Sequence, residues 1–247
     1  LTDTNAGPQY STTVARAAML LQLLAENPDG LGITVLTRHL NTQRAPLYRI
    51  LEALIRARLV RRDDQKRYRL GIGTIQLARA YSVQFPAGLE QLLAELANDV
   101  GVTSTLVSAE GDVLTTVLSV TPSTNAEHVF TPPGFRHPDG PLATRIALQA
   151  SAPPAEDDSD AIVEARRQGY AIARGSVAPV RYAVAAVVPN SALSGAALVV
   201  ALVSVVDFDA ESAAERLIHT AQLIGMSLGT AGSGGGGAVG DFRRSDY

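Results

Sequence analysis

Apolar positions at Val14, Ala17, Ala18, Leu20, Leu21 and Leu24 follow helical spacing, with Ser11, Thr12 and Thr13 ahead of them as candidate N-caps. Asn27-Pro28-Asp29-Gly30 stops that helix. A short second helix is predicted from Thr34 to Leu40 and a third from Gln43 to Arg58. Leu59-Val60-Arg61-Arg62 and Arg67-Tyr68-Arg69-Leu70 flank Asp63-Asp64-Gln65-Lys66 and read as a hairpin with a polar tip. Gly71-Ile72-Gly73 ends the hairpin, and Thr74 to Ser82 is predicted helical.

Phe85-Pro86-Ala87-Gly88 marks a boundary, beyond which strands and helices mix. Leu89 to Val100, Leu142 to Ala150, Ala161 to Gln168 and Glu211 to Leu228 have helical patterns. Val102 to Val107 and Val113 to Val120 form a hairpin around Glu110-Gly111-Asp112, and Ala183 to Val188 and Ala196 to Val205 read as buried strands. The expected class is α+β, an antiparallel sheet with helices packed on it. Seven glycines fall among the twelve residues that start at Gly229, so residues 229–247 are expected to be a disordered Gly-rich tail.

Composition narrows the chemistry. The 247 residues are 46% hydrophobic, enough for one or two cores, and contain no cysteine, which excludes disulfides, thiolate metal sites and cysteine nucleophiles. That suits a reducing cytoplasm. The longest apolar run, Ala196 to Val206, is far short of the ~20 residues that span a bilayer, and Leu1 to Ser11 has no signal pattern. Leu1 in place of Met implies a trimmed or upstream start. The net charge of −3 hides an asymmetry: residues 1–80 carry +6 and residues 81–247 carry −9. A basic N-terminal part on an acidic remainder is the pattern of a nucleic-acid reader joined to another module. The four histidines show no metal-ligand spacing, and no Gly-x-Ser-x-Gly elbow or P-loop is present. No catalytic residue, metal or cofactor is therefore expected.

Three helices followed by a hairpin is the order of a winged helix-turn-helix. At ~100° per residue, Leu47, Ile50, Leu51 and Leu54 of the third helix share one face, while Ala45, Arg49, Glu52 and Arg56 lie opposite with Tyr48 on the flank. Such a helix fits the B-DNA major groove with its N-terminal residues nearest the bases. The candidate DNA contacts are Arg16, Gln43, Arg44, Ala45, Tyr48 and Arg49, with Arg61, Arg62, Lys66 and Arg67 of the wing on phosphates or the minor groove. A solvated amphipathic helix beside a charged hairpin is the competing reading.

Residues 12–82 resemble the DNA-binding domain of the IclR family of bacterial transcriptional regulators. The resemblance is carried by Val14-Ala15-Arg16-Ala17, Leu47-Tyr48-Arg49-Ile50-Leu51, Leu59-Val60-Arg61-Arg62-Asp63 and Tyr68-Arg69-Leu70-Gly71. The family's Gly-Leu-Pro-Lys-Ser-Thr is here Asn41-Thr42-Gln43-Arg44-Ala45-Pro46, which keeps a cation and loses two hydroxyls. A different operator preference follows from that change. Residues 86–228 are similar to the family's GAF-like effector-binding domain through Arg136 to Ala150, Gly169-Tyr170-Ala171 and Ala183 to Val188.

The resemblance implies residues 1–11 as an arm, 12–73 as a winged helix-turn-helix, 74–86 as a linker helix and 87–228 as the GAF-like effector-binding and oligomerisation domain. It implies a DNA-binding regulator, a repressor, that reads palindromic double-stranded DNA as a dimer or tetramer. A small organic effector, aromatic or apolar and bearing a carboxylate, would control it. Candidate effector residues are Thr103, Thr105, Arg136, Arg145, Arg181, Tyr182, Val199 and Ala201, an arginine being suited to hold a carboxylate in a bidentate pair. A filled effector domain, or a hydrolase-like activity in it, are the alternatives.

Overall fold

The computed structural model of the protein describes residues 12–124, 127–177, 179–191 and 196–232. Two compact units divide between Gln84 and Phe85. The first holds α1 (Thr12–Glu26), α2 (Ile33–His39), α3 (Arg44–Arg56), β1 (Val60–Arg62), β2 (Tyr68–Leu70) and α4 (Gly73–Ser82). Its core joins Leu20 and Leu24 of α1, Leu36 of α2, Leu47, Ile50 and Leu51 of α3, and Val60 and Tyr68 of the hairpin. Full burial of one such side chain is worth about 1.5–3 kcal/mol. The helices are thus held by packing, not by length.

α3 is shorter at both ends than its periodicity predicts. Gln43 is extended (φ −80°, ψ 162°) and serves as the N-cap, while Arg58 has φ 58° and turns the chain into β1. Pro46 lies in the first turn, where a backbone N–H has no intrahelical partner to lose. β1 and β2 pair antiparallel with Val60 opposite Leu70 and Arg62 opposite Tyr68. Leu31 adds a bridge to Tyr68, the two exchanging backbone hydrogen bonds of 3.0 and 2.9 Å.

The second unit is a five-stranded antiparallel sheet in the order β4-β3-β7-β6-β5. Its strands are β3 (Thr103–Glu110), β4 (Val113–Val120), β5 (Ala171–Val177), β6 (Val180–Val187) and β7 (Ala197–Ser204). Its helices are α5 (Leu89–Val100), α6 (Ala143–Ser151), α7 (Asp160–Gln168) and α8 (Ala210–Gly232). Alternation along β7 sends Leu198, Val200 and Leu202 to the core shared with α5 and α8. Val199 and Ala201 join the core with Ala143, Ile146 and Ala147 of α6 and Ile162 and Ala165 of α7. The unbroken apolar run of β7 is explained by burial on both faces.

Two expectations are corrected. Edge strand β5 was not predicted as a strand, because Arg174 and Gly175 break its apolar run; Gly175 (φ 63°) sits at a bulge in the β5–β6 ladder. The helix at the C-terminus continues to Gly232, so residues 229–232 are helical and not part of a disordered tail. The remaining tail, the arm and the Ser11 cap lie outside the described residues. Among the described residues no helix is long and apolar enough to cross a membrane.

Gly71 fixes where the wing ends. A Cβ there would stand 2.2 Å from the Arg58 carbonyl oxygen, and its own N–H donates to the Leu59 carbonyl at 2.8 Å. The obstacle is backbone and cannot rotate away. Gly71→Ala is expected to destabilise the chain by about 1–3 kcal/mol, measured by urea denaturation. The same substitution at Gly32, where nothing lies within 4 Å, is the control.

Candidate DNA-reading face and ligand cavity

Burying the leucine side of α3 turns its other side outward. Leu47, Ile50 and Leu51 are buried and Leu54 half-buried, while Arg44, Ala45, Tyr48, Arg49, Glu52 and Arg56 are exposed. The Arg49 guanidinium makes no hydrogen bond or ion pair with any described residue. Arg44 Nη2 donates to Thr34 Oγ1 of α2 at 3.4 Å, a long contact across the turn between the two helices. Arg56 is paired with Glu52 at 2.7 Å, so the cationic part of the face is its N-terminal half. Gln43 is exposed at the N-cap, and Arg16 is half-buried on α1.

The wing sorts its cations into two groups. Asp63 lies at its centre: Oδ1 accepts from the backbone N–H of Gln65 and Arg67, and Oδ2 accepts from Nε of Arg67 and Arg69 at 3.3 and 3.0 Å. The Arg67 backbone N–H, the Arg69 side chain and the charges of both arginines hold its carboxyl below the ordinary value, against the opposing effect of burial. Arg69 also donates to the Pro28 carbonyl at 2.9 Å. Arg67, a predicted DNA contact, is therefore engaged in forming the turn while remaining about one-third exposed. Arg61 and Lys66 are exposed, their side chains unpaired among the described residues, and Arg62 lies over the Tyr68 ring at 5.6 Å.

The second unit contains a cavity of about 300 Å³. Its floor is the α6-facing side of the sheet where side chains are small: Ala173, Ala183 and Ala201 with Thr105 and Val203. The wall is the segment from His128 to Pro138, and the far end is Leu142, Ala143 and Thr144 at the start of α6. Phe135 meets the His137 ring edge-to-face at 5.3 Å, and His137 Nε2 shares a 2.9 Å hydrogen bond with Thr116 Oγ1. Thr131 Oγ1 is buried with no hydrogen-bond partner, whereas Thr105 donates to the Ala201 carbonyl at 3.3 Å.

Of the predicted effector residues, Thr105 and Ala201 line this cavity and the other six do not. Thr103 is buried and donates to the Val129 carbonyl at 2.6 Å, which anchors the wall. Val199 shares the face of Ala201 but is covered by the α6–α7 layer. Tyr182 points to the opposite core by strand alternation, where Arg174 donates to its hydroxyl at 3.3 Å and Phe208 packs on its ring. Arg136 and Arg181 are exposed, and the half-buried Arg145 donates to the Asp112 carbonyl and to Asp139 Oδ1 at 3.4 Å, its Nε being buried without a partner. The cavity residues that sequence reasoning missed are the aromatic wall and the hydroxyls of Thr131 and Thr144. Their only local signal is the Pro132-Pro133-Gly134 turn, which folds the segment back against β4.

Comparison with known proteins adds the following. Residues 13–64 match the model of the IclR helix-turn-helix domain. No curated protein matches the chain. An IclR transcriptional regulator from Alicyclobacillus acidocaldarius is similar in structure at 22% identity, with a TM-score of 0.75 over 89% of this chain and 99% of that one. An IclR homolog from Microbacterium hydrocarbonoxydans, solved with 4-hydroxybenzoate, is similar at 17% identity, TM-score 0.71, over 88% and 99% of the two chains. The Thermotoga maritima IclR is similar at 16% identity, TM-score 0.62, over 89% and 100%.

Burial pushes the His137 ring below its ordinary 6.5. Between that depressed value and 6.5 the unfolded chain binds a proton that the folded one does not, so folding stability rises with pH across the window. The melting temperature, followed by circular dichroism, is expected to fall as pH drops from 7.5 to 5.5, and to fall less in His137→Asn. An equal fall in both proteins would show that another group is responsible.

Proposed function

The chain carries an IclR helix-turn-helix domain within the fold of IclR-family transcriptional regulators, and from this premise we propose that it is a sequence-specific DNA-binding regulator under the control of a small molecule. The reading is supported above all by one observation, the unpaired Arg49 on the outward side of α3. With Arg44 and Tyr48 beside it, this side offers a bidentate donor and a phenol to base edges. Arg61, Arg62 and Lys66 supply phosphate contacts from the wing. Occupying an operator excludes other proteins from that DNA, so repression requires nothing beyond the binding step.

One winged domain contacts too few bases for discrimination within a genome, and two copies on a palindrome add their binding free energies. Self-association through α4 fits its surface, on which Ile75 and Leu77 are exposed with Ile72 just ahead of the helix. The cavity in the second unit is the effector site in this reading. Its occupant shifts the DNA-binding equilibrium only by the difference of its affinities for the two states.

Fluorescence anisotropy of the full chain on duplex DNA from its own upstream region tests the proposal. Saturable binding at moderate salt with sequence preference is expected. Arg49→Ala should weaken it by about 1–3 kcal/mol, roughly five- to 150-fold. Affinity unchanged by Arg49→Ala across a salt series would overturn the assignment.

A further inference from the structure

We infer that the cavity of the second unit is built for an uncharged ligand, a compact and mainly apolar ring compound carrying a hydrogen-bonding oxygen and no carboxylate. This rests on the reading of the cavity as the effector site, and it departs from the carboxylate-bearing effector expected from the sequence.

Among the described residues that line the cavity there is no Asp, Glu, Lys or Arg side chain. The guanidinium groups nearest in sequence do not line the cavity: Arg145 reaches Asp112 and Asp139 through its Nη atoms at 3.4 Å and keeps a buried Nε without a partner, Arg174 is on Tyr182, and Arg136 is exposed. The ionisable side chains that do line it are His128 and His137, the latter held toward its neutral form by burial, so a carboxylate entering this space leaves water with no arginine or lysine to pair with, which is unfavourable. The first turn of α6, capped by Leu142 with no side-chain hydrogen bond, offers backbone N–H donors there. They carry only a partial charge, and the Asp139 carboxylate lies at 3.4 Å from Arg145 in that same turn.

The shape and the orphan polar atoms complete the description. Phe130, Phe135 and the edge-on His137 ring face a floor of alanines, a slot suited to a flat apolar body. The volume is at the small end for ligand cavities, which limits the body to about one ring. Thr131 Oγ1 is buried without a partner, and Thr144, only 6% exposed, has no hydrogen bond for its hydroxyl among the described residues. A hydroxyl donates and accepts, so the oxygen of a phenol, alcohol or amide satisfies either group without bringing charge.

The test is calorimetric titration of the full chain, at pH 7.5, with matched pairs: benzyl alcohol against benzoate, and phenylacetamide against phenylacetate. The neutral member of each pair is expected to bind saturably, at least about tenfold tighter than its anion. Ala183→Leu, which fills the floor, should abolish that binding with the circular dichroism spectrum unchanged. Thr131→Val, a nearly isosteric change on the wall, should weaken it about fivefold or more. Anions binding as tightly as the neutral compounds would overturn the inference and leave the effector site standing. Failure of every compound to bind would overturn both. Undiminished binding to a folded Ala183→Leu, or to Thr131→Val if the first variant does not fold, would place the ligand elsewhere and overturn the inference.

Discussion

Burial of Leu47, Ile50 and Leu51 against α1 and α2 is the constraint on which the N-terminal unit depends. A helix with one apolar face has a single favourable orientation on a core, and that orientation decides what the other face shows to solvent. Arg44, Tyr48 and Arg49 point outward because the leucines point inward. The wing is held to the same core through Val60 and Tyr68, and its exit is set by the close approach of Gly71 to the Arg58 carbonyl. The positions of the cations therefore follow from apolar packing, and the charges themselves do little to hold them there.

Charge acts at the next level, by selection among arginines. Asp63 binds two of them and draws its own turn together, so two cations of the hairpin are engaged in holding its shape. Arg61 and Lys66 stay unengaged on either side of that hub. For a surface that meets a polyanion, a cation already satisfied by a carboxylate contributes less than a free one. The division between organising and available arginines is thus a property of one aspartate.

In the second unit the same logic of packing produces an opening. Leucine and valine cover the α5–α8 side of the sheet, while on the other side Ala173, Ala183 and Ala201 are short and leave space at the edge of the layer formed by α6 and α7. The segment from His128 to Pro138 roofs the shallow part without filling it; it lends the cavity rings and the Thr131 hydroxyl, while its one arginine, Arg136, is exposed. On the proposed reading, a ligand there would give up water for apolar walls and the partnerless Thr131 hydroxyl.

Local pattern alone determined much of this protein. The spacing of leucines marked α1 and α3 and the buried side of each, the Asp63 to Lys66 turn marked the wing, and the apolar run of β7 marked a strand covered on both faces. These are consequences of periods of two and 3.6 residues, which a short stretch of chain contains in full. Tertiary structure alone decided the rest. Whether Arg67 is free depends on a carboxylate four residues away folding back onto it, and whether Tyr182 meets a ligand depends on which side of the sheet its strand presents. The cavity is assembled from β3, β5, β6, β7, the start of α6 and a loop, and it brings together residues as distant as Thr105 and Ala201, ninety-six positions apart. A period tells which face of an element is buried, but not whether another layer reaches far enough to cover it, and that difference in reach separates a filled core from a cavity.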